Sequence, residues 1–278
     1  MATDGCEVQM TEPDATIELL TAAPGRAGLV MDFDGVLSPI VTDPAASRLL
    51  DGTAELLAGI ARRLDLVALI SGRPLAFLRD RAPVDGVALL GSYGLEELRD
   101  GVTHTEPAIE AWLPAVHEAS AELHRTFDDA DGVKVEDKAV SVAVHWRLAP
   151  DRTAAAEAVA AALREISGRT GLVAEPGKLV VELIPPVRQD KGTALTRLVD
   201  RLGLARVVYA GDDLGDLPAL HAAVAGGGHA LVVTHGPETP PDLLGVATRT
   251  FDGVEAFAQW LGRLRATLDA AEAPAEPA

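Results

Sequence analysis

Five short apolar runs, rich in β-branched residues and separated by helix-like stretches, constrain this chain more than any other feature. The runs cover residues 29–33, 66–70, 87–90, 207–210 and 230–233. Helical patterns cover 47–63, 74–81, 191–202 and 214–224, and a last one, 253–268, carries Val254, Phe257, Trp260, Leu261 and Leu264 at helical spacing. Strands that are apolar throughout and alternate with helices predict an α/β fold whose Rossmann-like parallel sheet is covered on both faces.

The middle of the chain follows another rule. Residues 138–147 alternate, with Val140, Val142 and Val144 on one face and Ser141, Ala143 and His145 on the other. Trp146 continues the valine face. A further strand is expected at 178–184, with helices at 108–127 and 154–167. Strict alternation predicts an antiparallel sheet with one buried face. The expected organisation is therefore a core domain over 17–101 and 187–269, interrupted by an inserted α+β domain over 102–186. The polar N-terminus (1–16) and the Ala, Glu and Pro-rich tail (270–278) are expected to be disordered.

Composition excludes several function classes. A net charge of -18 over 278 residues argues against nucleic acid and anionic membranes as partners. No apolar run is long enough to span a bilayer. The single cysteine, Cys6, cannot form an internal disulfide, which fits a reducing cytoplasm. We expect a cytoplasmic monomer or weak dimer acting on a small molecule.

Four segments carry chemistry. Asp32 and Asp34 lie at the exit of the first strand, where open α/β sheets bind ligands. Two neighbouring anions there need a positive charge between them, and Mg²⁺ prefers oxygen ligands. A lone Asp-x-Asp can equally cap a helix. Asp32 directly ends the strand and is the better nucleophile candidate; Asp34 is placed to protonate a leaving oxygen and then activate water. Ser71-Gly72-Arg73-Pro74 follows the second strand and offers N–H groups at a helix start, an anion-binding geometry or a plain helix cap. Lys191 opens a helix as a point charge for a phosphoryl group. Asp212, Asp213 and Asp216 crowd a strand-to-helix turn and together call for a cation. Each signal is modest alone; all four fall at the carboxyl ends of parallel strands or the helix starts beyond them.

The order DFDGVL, SGR, a helix-opening Lys and GDDLGD resembles the haloacid-dehalogenase-like (HAD) phosphatase superfamily over essentially the whole folded chain. That resemblance implies Asp32 as nucleophile, Asp34 as acid and base, and Ser71, Gly72, Arg73 and Lys191 around phosphate. It also implies Mg²⁺ held by Asp32, Asp34 (through its backbone carbonyl) and Asp212, with Asp213 or Asp216 assisting. The inserted domain would be a cap that excludes water and selects substrate.

Cap segments resemble the trehalose-6-phosphate phosphatase family: DFDGVLSPI, SGRP, G-x-x-G-L-E, EDK followed by H-aromatic-R, and GK-x-V-x-E. The resemblance implies sugar contacts from Tyr93, Gly94, Glu96, Glu136, Lys138, His145, Arg147, Lys178 and Glu182. The activity it implies is hydrolysis of trehalose 6-phosphate through an aspartyl-phosphate. The chain departs from the family pattern at Tyr93 (usually His), at Ile184 (usually Arg) and at Gly215 and Leu217 in the last motif. These departures keep open another sugar phosphate, or a pseudo-disaccharide phosphate such as validoxylamine A 7'-phosphate. A non-catalytic sugar-phosphate binder would be expected to lack Asp32, Asp34 or Lys191, and all three are present.

Overall fold

The run Ala27–Met31 is buried at every position, as a strand flanked by strands and covered on both faces must be. In the computed structural model, which describes residues 14–99, 101–187 and 189–272, it is the first of twelve strands. These are β1 (Ala27–Met31), β2 (Leu66–Ile70), β3 (Ala88–Gly91), β4 (Glu96–Arg99), β5 (Val102–Thr105), β6 (Lys134–Lys138), β7 (Ser141–His145), β8 (Val173–Gly177), β9 (Val180–Ile184), β10 (Arg206–Gly211), β11 (His229–Thr234) and β12 (Arg249–Asp252).

The chain divides into two compact units. The first comprises residues through Ala68, Val84–Val87 and from Leu195 onward. Its strands lie in the order β12-β11-β10-β1-β2. β1 pairs parallel with β10 (Ala27 opposite Arg206, Met31 opposite Ala210), β10 with β11, and β11 with β12. Leu29, Val30, Val208, Leu231 and Val232 are completely buried between the helical layers. Each such aliphatic side chain contributes roughly 1.5–3 kcal/mol relative to exposure.

The helix Gly253–Glu272 closes the first unit, with Phe257 and Trp260 stacked at 5.6 Å and Phe251 edge-on to Phe257 at 5.2 Å. Its last residues fall where a disordered tail was expected; 273–278 lie outside the described residues. The expected disordered N-terminus meets a similar outcome. Residues 1–13 lie outside the description, but Asp14 caps the helix Ala15–Thr21, accepting from the amides of Thr16 and Ile17. Asp14 also accepts from Trp260 Nε1 (2.8 Å) and pairs with Arg249. A carboxylate engaged by four donors orders the segment around it.

The second unit comprises Leu69–Pro83 and Ala88–Ala194. It holds β2-β3-β4-β5, where β3, β4 and β5 run antiparallel, and a separate antiparallel sheet in the order β6-β7-β9-β8. The β4–β5 hairpin pairs Arg99 with Val102, so it spans the position where the inserted domain was expected to begin. The sheet is thus mostly parallel with an antiparallel edge. In the four-stranded sheet the expected strand 138–147 is shorter: β7 begins at Ser141, because residues 139–140 form the turn from β6, whose Lys138 pairs with Ser141. The expected strand 178–184 begins two residues late, because Lys178 and Leu179 form the β8–β9 turn and Leu179 sits at φ 61°. The helices Leu113–Phe127 and Arg152–Thr170 contribute Val116, Leu123, Val159, Leu163 and Ile166 to one core with Val142, Val144, Trp146 and Leu183. Val142, Val144 and Trp146 form the buried face that the alternation predicted.

Among the described residues no helix is long and apolar enough to cross a membrane.

Candidate active site

In the first unit, the chain leaves β1 into the Asp32–Ser38 turn. Asp32 N–H still donates to Ala210 O (2.9 Å), extending the parallel ladder by one residue. The Asp32 carboxylate is 5% exposed and accepts from the Phe33 amide at 2.7 Å. The turn then closes on itself, with Leu37 and Ser38 amides both donating to Phe33 O. Gly35 holds φ at 74°, and a Cβ there would lie 2.0 Å from Asp212 Oδ2. Only glycine lets the loop after β1 lie against the loop after β10.

The second loop supplies the other acids. One carboxylate oxygen from each of Asp32, Asp212 and Asp216 lies within 4.8 Å of the others. Asp216 is fully buried. Its Oδ1 accepts from Tyr209 OH (2.7 Å), and its Oδ2 accepts from the amides of Asp212 (3.0 Å) and Asp213 (3.2 Å). Asp213 is exposed and caps the short helical turn Leu214–Asp216 through the Gly215 amide. The acid that joins Asp32 and Asp212 is therefore Asp216, while Asp213 serves the turn. Asp34, half-buried beyond the strand end, is outside this group of three.

The donor set is all oxygen, anionic and largely shielded from water, which suits a hard divalent cation. Tyr209 was not singled out by the sequence, where it reads as one more apolar strand position. Burial, and then the charges of Asp216 and Asp32, push its phenol well above the ordinary range. It stays protonated and donates to Asp216. His235 is the other residue the sequence did not mark; it follows β11 and reaches Gly35 O with Nε2 at 3.0 Å.

In the second unit, Ser71 follows β2, is 2% exposed and donates its amide to Leu90 O. Its hydroxyl accepts from the Arg73 amide (3.2 Å), fixing the turn ahead of the helix Leu75–Arg81. Gly72 is exposed, and the Arg73 guanidinium stacks on Phe77 at 4.6 Å. Ser92 and Tyr93 both adopt left-handed backbones, φ 51° and 58°, held by Ser92 N–H to Arg73 O and Tyr93 N–H to Ser71 O. This puts the Tyr93 ring, 47% exposed, directly over Gly72, whose missing side chain leaves the room. Gly94 is buried, and Gln189 donates to Tyr93 O (2.8 Å). Glu96 is buried and accepts from Ser92 Oγ (2.9 Å) and the Leu75 amide, so it ties this loop together. Lys191, 3% exposed, begins the helix Lys191–Leu202, which Asp190 caps by accepting from the Thr193 amide (2.7 Å).

The polar face of the four-stranded sheet collects several expected sugar contacts. Glu136 Oε2 lies 2.8 Å from His145 Nε2. Lys138 and Ser141 both donate to Glu182. Arg147 is exposed and reaches Lys178 O at 3.5 Å; Lys178 itself stands on the exposed turn. A cavity of about 380 Å³ opens beside Glu136, His145 and Arg147, with Lys134 and Leu148 on its rim.

A mostly parallel sheet with acids at the carboxyl ends of adjacent strands and an inserted α+β region defines the class: this is the fold of HAD-like hydrolases. A solved trehalose-6-phosphate phosphatase related protein superposes with a TM-score of 0.69 at 20% identity, covering 88% of this chain and all of that one. The family model for trehalose-phosphatase matches residues 30–222, and the chain belongs to that family. It is 39% identical over 234 residues to a trehalose-phosphate phosphatase of Mycobacterium tuberculosis, covering 80% of this chain and 58% of the relative. It is 41% identical over 218 residues to an uncharacterized glycosyl hydrolase of the same organism, covering 76% of this chain and 16% of the relative. The chain thus spans about three fifths of the one relative and about a sixth of the other.

Proposed function

We propose that this protein is a Mg²⁺-dependent phosphatase that hydrolyses trehalose 6-phosphate to trehalose and phosphate. The observation that carries the reading is the Asp32, Asp212 and Asp216 cluster at the ends of the adjacent strands β1 and β10. Family membership supports the phosphatase class, and the paired polar groups on the four-stranded sheet suit a ligand that needs both donors and acceptors. Asp32, Asp212 and Asp216 would hold the ion, with the Asp34 carbonyl a further ligand on the family pattern. Bound there, Mg²⁺ would offset the negative charge of the carboxylates and phosphate.

The chain's own residues do the rest. An Asp32 carboxylate oxygen attacks phosphorus; the new O–P bond forms as the bond from phosphorus to the sugar oxygen breaks. Asp34 gives its proton to that departing oxygen. Asp34 then takes a proton from water, which attacks phosphorus and releases Asp32 and inorganic phosphate. Ser71 and Lys191 bind the phosphoryl oxygens. The cap residues Glu136, Lys138, His145 and Glu182 recognise the disaccharide.

The test is phosphate release with Mg²⁺ over a panel: trehalose 6-phosphate, sucrose and mannosylglycerate phosphates, and validoxylamine A 7'-phosphate. Trehalose 6-phosphate should give the highest kcat/KM. A rank far below another member would move the assignment to that substrate.

A further inference from the structure

We infer that His235 is a positioning residue that locks the loop after β1 to Asp212 and so sets the cation affinity of the carboxylate cluster. The inference rests on the phosphatase reading for its consequence in turnover, but its geometry stands apart from it. His235 directly follows β11, whose neighbours in the sheet are β10 and β12. Its backbone is pinned, since its amide donates to Thr239 Oγ1 at 2.7 Å. Its side chain is 19% exposed and crosses the end of β10 to reach the loop that follows β1.

Two acceptors meet Nε2 there. Gly35 O lies at 3.0 Å and Asp212 Oδ2 at 3.4 Å. A peptide carbonyl can only accept, so the ring must carry a hydrogen on Nε2. That N–H donates to Gly35 O, with the Asp212 carboxylate beside it. Gly35 is then clamped from both sides, because its own amide donates to Ser38 O at 2.8 Å. It sits one residue after Asp34 and three after Asp32, at the point where the loop passes against Asp212. One ring thus ties together the two loops that supply the acids. Outer partners that orient metal-binding carboxylates typically change affinity or activity by roughly 10–100-fold when removed.

The experiment compares His235→Ala and His235→Gln with the parent protein, since the glutamine amide can donate from nearly the place of Nε2. Mg²⁺ is titrated into the substrate-free protein while Tm is followed, and trehalose 6-phosphate turnover is then measured against Mg²⁺ concentration. His235→Ala should raise the Mg²⁺ concentration for half-maximal stabilisation by about tenfold or more. It should lower kcat while leaving KM for the sugar phosphate near the parent value, and His235→Gln should recover most of both losses. Unchanged Mg²⁺ dependence in a folded His235→Ala protein would overturn the inference. So would a Gln variant that folds but recovers nothing, or a parent protein that Mg²⁺ does not stabilise. A parent that Mg²⁺ stabilises but that releases no phosphate from trehalose 6-phosphate would refute that substrate and leave the positioning role to the Tm titration.

Discussion

The carboxylate cluster and the polar face of the cap sheet both pair acids with donors, yet they are built to opposite specifications. In the cluster, Asp32 and Asp216 are 5% and 0% exposed, and Asp216 is held by a phenol and two amides. Most of those donors are backbone, so the geometry is set by the sheet itself. On the cap face the partners are side chains that remain open to water: His145 and Glu136 side chains are 37% and 42% exposed, Lys138 and Glu182 21% and 29%. Buried acids held by backbone amides keep one arrangement. Half-exposed pairs can exchange partners for sugar hydroxyls at modest cost. On the proposed function, the contrast suits fixed chemistry in the first region and adjustable selection in the second.

The largest stability effect should come from Tyr209→Phe. It removes the donor to Asp216 Oδ1 and leaves a buried charged acceptor short of a partner, costing about 1–3 kcal/mol by urea denaturation. A loss near zero would mean that the cluster is no more constrained than the cap.

Lys138→Met should behave in the opposite way. The pair it makes with Glu182 is partly exposed, so stability should change by less than about 1 kcal/mol. KM for the sugar phosphate should rise about tenfold, the equivalent of roughly 1.4 kcal/mol of lost binding, with kcat little altered. A fall in kcat at constant KM would place Lys138 in the chemistry and erase the distinction.

The smallest effect is a pH response on the other face of the cap sheet. His124 lies 2.7 Å from Asp128 and 3.0 Å from Asp137, contacts that raise its pKa, the Asp128 bond first. The stabilisation is complete below the unfolded value near 6.5 and is lost as pH rises through the raised folded value. Asp137 is lowered, first by the Ser120 hydroxyl and then by His124, so its share is lost only as strong acid is approached. NMR titration should find His124 above 6.5, and His124→Gln should remove the alkaline loss. A His124 titrating at or below 6.5 would contradict the pairing.

The strands that were legible in the sequence are the apolar runs buried within the large sheet: β1, β2, β3, β10 and β11. The helix Lys191–Leu202 was legible at both ends. β6, with Lys134, Glu136, Asp137 and Lys138 around a single Val135, carries too little apolar signal to read. β8 contains Pro176 and is exposed throughout, as an edge strand can be. The turn at 139–140 lacks the Gly or Asn that usually marks a hairpin. Asp32, Asp212 and Asp216 were visible because acids at strand ends are conspicuous. Tyr209 and His235 were not: the first has an apolar residue's pattern, and the role of the second depends on its strand lying two places from β1 in the sheet.

The most direct test of the central claim is Mg²⁺-supported phosphate release from trehalose 6-phosphate by the parent protein and by Asp32→Asn, which keeps the side chain's shape and removes its nucleophilic oxygen. The account predicts turnover by the parent and a loss of about a thousandfold or more in the folded variant. Equal turnover by the two proteins would contradict it.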